Sequence, residues 1–260
     1  MSVHRHTQEG KSVRVVLAGG VDPGTGAGIA RDLLTAAALG ARAMVVGTAW
    51  TEQGQVVAIE AREPEQVRVA MTAALAKAGT TGTAVKIGMV ASAPIAQAMQ
   101  AAIASYTGPV VFDPVLRASS GVSLYDGDRE SILGLARSVT LLTPNLDEAG
   151  WLLERPVRTQ ADARTAAHAL RGLGIAAVLV KGGHLAGEAT DVLLGPAGET
   201  LLSGPRVAGT GPRGTGCALA TAIAVELAAG ESLERAVAAA KSWLPDRIRR
   251  ATDVDGEPHL

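Results

Sequence analysis

The sequence predicts an α/β protein built on a doubly wound, mostly parallel sheet, flanked by helices on both faces and carrying a small antiparallel hairpin at one edge. Three observations predict it. Short runs rich in β-branched residues alternate with Ala-rich stretches of helical character, the rhythm of βαβ units. The runs are almost continuously apolar, as expected when helices cover both faces of a sheet. The 260 residues, 47% of them hydrophobic, suffice for one large core.

In chain order, the parallel strands are expected at 13–18, 43–46, 84–87, 110–113, 139–143 and 177–181. Residues 191–194 and 200–203 then flank Gly195-Pro196-Ala197-Gly198, a turn signal that gives the antiparallel hairpin. A Gly- and Pro-rich stretch at 204–216 leads into a helix over about 215–229, followed by another from Leu233 to about Arg249. Residues 53–64 read either as a strand or as a flap over a site. With no repeat or linker in view, one domain is expected over 13–250, with a disordered tail at 1–12 and a flexible tail at 251–260.

Composition narrows the function. Lys and Arg number 24 against 25 Asp and Glu, so no global field draws the chain to nucleic acid or to an anionic membrane surface. Aromatic residues make up 2%, too few for stacking platforms under unpaired bases. The single cysteine, Cys217, excludes an internal disulfide and any multi-cysteine zinc site, and fits a reducing compartment, so a cytoplasmic location is expected. The longest apolar run, 218–229, is interrupted by Glu226 and falls short of the roughly 20 residues that span a bilayer.

Two phosphate-binding patterns fail on context. Gly10-Lys11-Ser12 imitates the end of a Walker A loop, but Arg5 stands where the earlier glycine belongs and no strand precedes it. Residues 209–214 spell G-x-G-x-x-G, yet no strand follows to complete a βαβ unit. What survives is a glycine-rich turn, Gly214-Thr215-Gly216, at a helix start, where converging N–H groups suit an anion. Its plainer reading is a tight turn with close packing. Cys217 likewise reads as a small packing residue or, at a helix start beside bound phosphates, as a thiol of lowered pKa that handles a proton.

Asp113 ends an apolar strand and precedes Pro114, which puts it at the carboxyl end of the sheet, where open α/β folds bind ligands. Asn145 and Glu148 follow the next strand; they read as a helix N-cap with a capping box, and also as a water-mediated Mg²⁺ site, the two being compatible. Lys181 closes the last parallel strand as a surface lysine or a phosphate contact. His184 has no spaced partner for a metal and reads as a loop residue.

Together these segments resemble the hydroxymethylpyrimidine/phosphomethylpyrimidine kinases of thiamine biosynthesis, within the ribokinase-like superfamily. The likeness runs over about 15–248 and is most specific at 22–33 (DPGTGAGIARDL), 85–89 (VKIGM), 111–115 (VFDPV), 143–148 (TPNLDE), 180–185 (VKGGHL) and 214–217 (GTGC). The resemblance implies ATP as cosubstrate with Mg²⁺, and transfer of the γ-phosphoryl to the hydroxymethyl of an aminopyrimidine and then to its monophosphate. It implies an acceptor pocket of Gly20, Asp32, Gln53 and Met89. It places Asp113, Asn145, Lys181 and Thr210 against the nucleotide, with Asp113 and Glu148 on the metal through water. The anion hole is Gly214, Thr215 and Gly216, with Lys181 assisting, and Cys217 stands where ribokinase relatives usually carry the base aspartate. A homodimer acting on a small molecule, with no nucleic acid or membrane partner, is implied as well.

The chain departs from the family pattern at Arg213, where histidine is usual, and at Ser119-Ser120-Gly121, where Lys-Ser-Gly is usual; Trp50 and Glu52 are unusual neighbours for Gln53, and the segment after it is shortened. These departures touch the acceptor's identity more than the fold. A pyridoxal or pyridoxine kinase of the same fold, or a pyrimidine-binding protein of weak activity, therefore stands beside the pyrimidine kinase.

Overall fold

The computed structural model describes residues 12–22, 26–52, 58–118, 121–183, 190–204, 213–254 and 257–260. Gln53, Thr210 and His184 lie outside them, as do Ser119 and Ser120. In chain order the elements are β1 (Arg14–Val21), α1 (Gly28–Ala38), β2 (Arg42–Glu52), β3 (Ala58–Ala61), α2 (Pro64–Ala78), β4 (Thr83–Ile87) and α3 (Ala93–Ile103). Then follow β5 (Val110–Phe112), α4 (Arg129–Arg137), β6 (Leu141–Leu142), α5 (Leu146–Leu153), α6 (Gln160–Gly172) and β7 (Val178–Val180). The chain continues through β8 (Asp191–Gly195), β9 (Gly198–Leu202), α7 (Thr215–Ala228), α8 (Leu233–Arg249), β10 (Thr252–Val254) and β11 (Glu257–His259).

β3 to β9 form one nine-stranded sheet with β1 and β2, in the order β3-β2-β1-β4-β5-β6-β7-β8-β9. Strands β2, β1, β4, β5, β6 and β7 are parallel, and β8 and β9 add the expected antiparallel hairpin. The opposite edge is antiparallel too, because β3 pairs with β2. That settles the strand reading for 58–61. β2 also runs well past the apolar run at 43–46: its register against β1 shifts between Gly19 and Gly20, and beyond that irregularity Ala49 and Trp50 pair with Gly20 and Val21.

Alternate residues of β1 feed two separate cores. Val16 and Ala18 pack with Met71, Ile95 and Ile132 under α2, α3 and α4, while Val15 and Leu17 pack with Ala36, Leu219 and Ile223 under α1 and α7. This is the two-sided burial that the unbroken apolar strands predict. Helix α7 lies in the middle of its layer and is buried from Cys217 to Ala228. Its many alanines allow close approach to the sheet, in place of the aromatic bulk the composition lacks.

The segment 251–260, expected as a flexible tail, carries two short strands. β10 and β11 pair antiparallel, and the Leu260 backbone oxygen accepts a hydrogen bond from the Arg31 guanidinium. Backbone pairing and a charged donor give these residues partners that hydropathy patterning does not reveal. Among the described residues no helix is long and apolar enough to cross a membrane.

Candidate active site

The order of the parallel strands reverses at β1, which has β2 on one side and β4 on the other. Open α/β sheets bind ligands in the crevice at such a reversal, outside the carboxyl ends of the strands. A cavity of about 40 Å³ lies there, lined by Gly19, Gly20, Asp32, Lys86, Met89 and Cys217 among others. That volume holds a water or two and marks the closed end of a site, not the whole of it. Gly20 lets Met89 pack close, because a Cβ there would meet Met89 Sδ at 2.8 Å and the thioether would have to shift. Three of the residues expected in the acceptor pocket, Gly20, Asp32 and Met89, are thus brought together beside Cys217.

The neighbouring strands continue the row. Asp113 follows β5, Asn145 follows β6 and Lys181 follows β7, and backbone bonds hold the three in step: Asp113 N donates to Ile87 O, Thr143 N to Phe112 O and Lys181 N to Pro144 O. Lys181 Nζ lies 2.5 Å from Asp113 Oδ1, which also accepts from Thr143 Oγ1 at 3.2 Å. A Cβ on Gly216 would stand 3.2 Å from Lys181 Nζ and 3.8 Å from Asp113 Oδ2, so the pair abuts the start of α7. There Gly214 adopts φ +81°, a left-handed conformation that suits glycine, and as the N-cap of α7 it has no side chain to bond the helix's first N–H groups. Turn, ammonium and carboxylate form one charged corner.

Burial alone would drive the Asp113 carboxyl up, but Lys181 and, farther off, Lys86 outweigh it and hold its pKa below the ordinary value. Burial likewise opposes the Lys181 ammonium, and the Asp113 and Glu148 carboxylates overcome it. Glu148 is the exception. Burial pushes it up to about 7, with Lys181 pulling against that shift. Asn145 and Glu148 also form the expected capping box of α5, with Glu148 N donating to Asn145 Oδ1 at 2.8 Å and Asn145 N to Glu148 Oε2 at 2.7 Å.

Cys217 is buried, in keeping with the plainer of its two readings. A helix start beside cations would lower a thiol's pKa, yet burial is the larger effect and pushes Cys217 up to about 12. The resting group is a neutral thiol.

Sequence reasoning missed the pair behind it. Lys86 in β4 is 1% exposed and Asp32 in α1 is 0% exposed; Lys86 Nζ bonds Asp32 Oδ2 at 2.7 Å, and Thr221 of α7 donates to Asp32 Oδ1 at 2.8 Å. The signal was present in the strand Thr83–Ile87 (TAVKI), since a lysine inside a strand buried on both faces must have a charged partner. Arg31 is a second omission. Its Cγ would lie 2.9 Å from a Cβ on Gly214, so a buried guanidinium stem packs directly beneath the glycine turn.

A larger recess of about 330 Å³ opens between the end of β9 and α8, with Leu202, Ser203 and Gly204 on one wall and Lys241, Ser242 and Pro245 on the other. Lys241 is anchored 2.5 Å from Asp191 Oδ2, and Asp191 Oδ1 accepts from Gly182 N at 2.8 Å, linking α8 to the residue after Lys181.

A family model described as phosphomethylpyrimidine kinase matches residues 22–259, which take in every element that builds this site except β1. The chain belongs to the phosphomethylpyrimidine kinase family. It is 40% identical over 247 residues to the hydroxymethylpyrimidine/phosphomethylpyrimidine kinase of Rhizobium meliloti, covering 91% of this chain and 90% of that protein. To the enzyme of the same description from Streptomyces coelicolor it is 37% identical over 249 residues, covering 93% and 91%.

Solved structures agree on the ribokinase-like fold. The phosphomethylpyrimidine kinase of Clostridium difficile superposes with a TM-score of 0.78 at 30% identity, over 91% of this chain and 100% of that one. The pyridoxal kinase of Staphylococcus aureus, solved with AMP-PCP and pyridoxal, superposes with a TM-score of 0.85 at 25% identity, over 96% and 93%. The better superposition and the higher identity point to different acceptors. Identity decides the family, because one fold hosts several acceptors while the side chains of the site choose among them. As a member of this kinase family, the chain uses ATP as its phosphoryl donor.

Proposed function

We propose that this protein transfers the γ-phosphoryl of ATP to the hydroxymethyl of 4-amino-5-hydroxymethyl-2-methylpyrimidine, and then to the resulting monophosphate. The observation that carries the proposal is the meeting of the Gly20–Met89 cavity wall, Cys217, the Gly214 turn and the Lys181–Asp113 pair at the sheet's reversal point. The acceptor's hydroxymethyl would enter the cavity from the side of Met89, with Gln53 reading the pyrimidine edge. The triphosphate would lie along the corner between Lys181 and the start of α7, the nucleoside would reach toward the recess beside β9, and Thr210 would be a further nucleotide contact.

Phosphoryl transfer asks mainly for positioning and charge stabilisation, and this site supplies both. The Gly214–Gly216 turn presents backbone N–H groups to the transferring phosphoryl. Lys181 adds an ammonium whose position Asp113 fixes. Cys217, neutral at rest, donates a hydrogen bond that orients the attacking hydroxyl.

The residues present fit a magnesium ion held through water. Among the described residues no three acidic, histidine or cysteine side chains gather to cage a metal directly, while Asp113 at the end of β5 and Glu148 in the first turn of α5 both act on Lys181. Mg²⁺ commonly binds through one or two carboxylates, waters and phosphate oxygens, and when bound it would neutralise charge on the phosphates. Glu148 would serve as its capping-box form, already oriented by Asn145.

Pairing of two copies belongs to the same reading. Val45, Trp50 and Ile59 expose apolar side chains on β2 and the edge strand β3, and sedimentation of the purified protein would test the dimer. A cytoplasmic location accords with the lone, reduced cysteine.

The deciding experiment is a coupled ADP-release assay with MgATP and hydroxymethylpyrimidine, run beside pyridoxal and a no-acceptor control. Pyrimidine-dependent turnover that Gln53→Ala abolishes is the expected result. Turnover with pyridoxal alone would transfer the site to the second acceptor, and tight pyrimidine binding without turnover would make the protein a binder.

A further inference from the structure

Lys86 is a charged side chain in the central strand layer, and it lines the acceptor cavity together with Cys217. The packing around it is specific. A Cβ on Gly88 would stand 2.8 Å from Lys86 Nζ, so the glycine leaves the ammonium its space, and Asp32, itself held by Thr221, fixes the ammonium's position. A buried ion pair of this kind gives little net stability, since desolvation offsets its attraction. Its field, however, acts strongly on whatever shares the same dry cavity.

We infer that Lys86 is a positioning residue for Cys217: the ammonium that Asp32 clamps in the cavity wall sets a fixed positive charge beside the thiol and supports proton exchange there. The inference rests on the proposed kinase site, since it assigns the electrostatics of that site's thiol. Charged groups surround Cys217 on several elements: Asp22, after β1 and paired with Arg213, lines the same cavity. Arg31 and Asp32 lie on α1, Lys86 on β4, Asp113 after β5 and Lys181 after β7, with Glu148 facing Lys181 from α5. Burial dominates and raises the thiol, Lys86 is the strongest of the charges and lowers it, Asp32 and Asp113 raise it, and Lys181 lowers it. Lys86 therefore outweighs its own partner Asp32.

The chain's one cysteine makes the test single-site. In alkylation by iodoacetamide the thiol first gives its proton to solvent; the thiolate sulfur then bonds to carbon as the carbon–iodine bond breaks and iodide leaves. The rate at about pH 9 reports the thiolate fraction, which changes about tenfold for each unit of pKa. Lys86→Met should slow alkylation by about tenfold or more. Loosened packing would do the reverse, because it exposes a buried thiol. Since Lys86→Met leaves Asp32 uncompensated and is at risk of misfolding, Lys86→Met/Asp32→Asn provides a second measurement in which no charge is stranded; it too should react more slowly than the wild type. Alkylation in either folded variant that is as fast as in the wild type, or faster, overturns the inference. The assay needs neither ATP nor acceptor, so a failure of the kinase assignment would show only in the ADP-release assay and a failure of this inference only here.

Discussion

Lys181 Nζ sits 2.5 Å from Asp113 Oδ1, joining the carboxyl ends of two strands that are separated in the sheet by β6. The pair is almost buried and abuts Gly216, so the ammonium is held in place before any phosphate arrives. Removing one preorganised donor of this type lowers turnover by about 10²–10³ in comparable sites. Lys181→Met should therefore lower kcat by about that factor. It should also destabilise the protein by about 3–5 kcal/mol, because Asp113 is left as an uncompensated buried charge. Steady-state kinetics with thermal unfolding on the same sample checks both. A kcat within twofold of wild type would remove Lys181 from the site.

Gly20→Ala tests the acceptor wall. The new Cβ would press on Met89 Sδ at 2.8 Å, and the thioether, which lines the cavity, must shift to make room. The acceptor KM should rise by about tenfold or more, the size expected when a methyl group encroaches on a fitted pocket, while the ATP KM stays within about twofold. Separate titrations of the two substrates measure this. Equal rises in both constants would mean that the substitution disturbs the whole sheet end.

Much of this arrangement is legible in the sequence, for identifiable reasons. Strands buried on both faces write themselves as unbroken apolar runs, so β1, β4 and β5 were evident, as was the Gly-Pro turn between β8 and β9. Asp113 and Lys181 could be placed because each ends such a run, and Asn145 because it comes just after one. What could not be read depends on contacts far apart in the chain. β3 is short, wholly exposed and defined only by its pairing with β2. The Lys86–Asp32–Thr221 network joins β4, α1 and α7, and no local pattern marks its members as partners. The choice between the two readings of Cys217 was out of reach for the same reason: the local signal is a helix start, whereas its pKa is set by burial under neighbouring elements.

Gly214→Ala probes the anion-binding turn. The residue has φ +81°, where an L side chain is strained by about 1–2 kcal/mol, and its Cβ would fall 2.5 Å from the Gly26 carbonyl oxygen, a backbone atom that cannot swing aside. The start of α7 must shift, while the rest of that helix stays fixed in the core. Activity should fall at least about hundredfold, as for loss of oxyanion-type donors, and the melting temperature should drop modestly. Retained helicity by circular dichroism would separate this local effect from unfolding. Undiminished turnover would show that the turn does not contact the transferring phosphoryl.

Glu148 makes stability depend on pH in a direction opposite to that of most carboxylates. In the unfolded chain it titrates near the usual glutamate value of 4.5; in the folded protein, burial moves it up to about 7. Between those values the native state binds more protons than the unfolded state, so this group's contribution falls as pH rises. It is most favourable below 4.5, declines through the interval and has run its course above about 7. Asp113, held below its ordinary value, contributes in the other sense, with stability lost as pH falls through its depressed folded value. Glu148→Gln isolates the first effect, since the amide oxygen can still accept from Asn145 N while the proton equilibrium disappears. Chemical denaturation of the metal-free protein at pH values across this range should show the wild type losing stability relative to Glu148→Gln as pH rises from about 5 to 7. Parallel stability curves for the two proteins would mean that Glu148 titrates as an ordinary surface glutamate, and that the carboxylate beside Lys181 is solvated rather than buried.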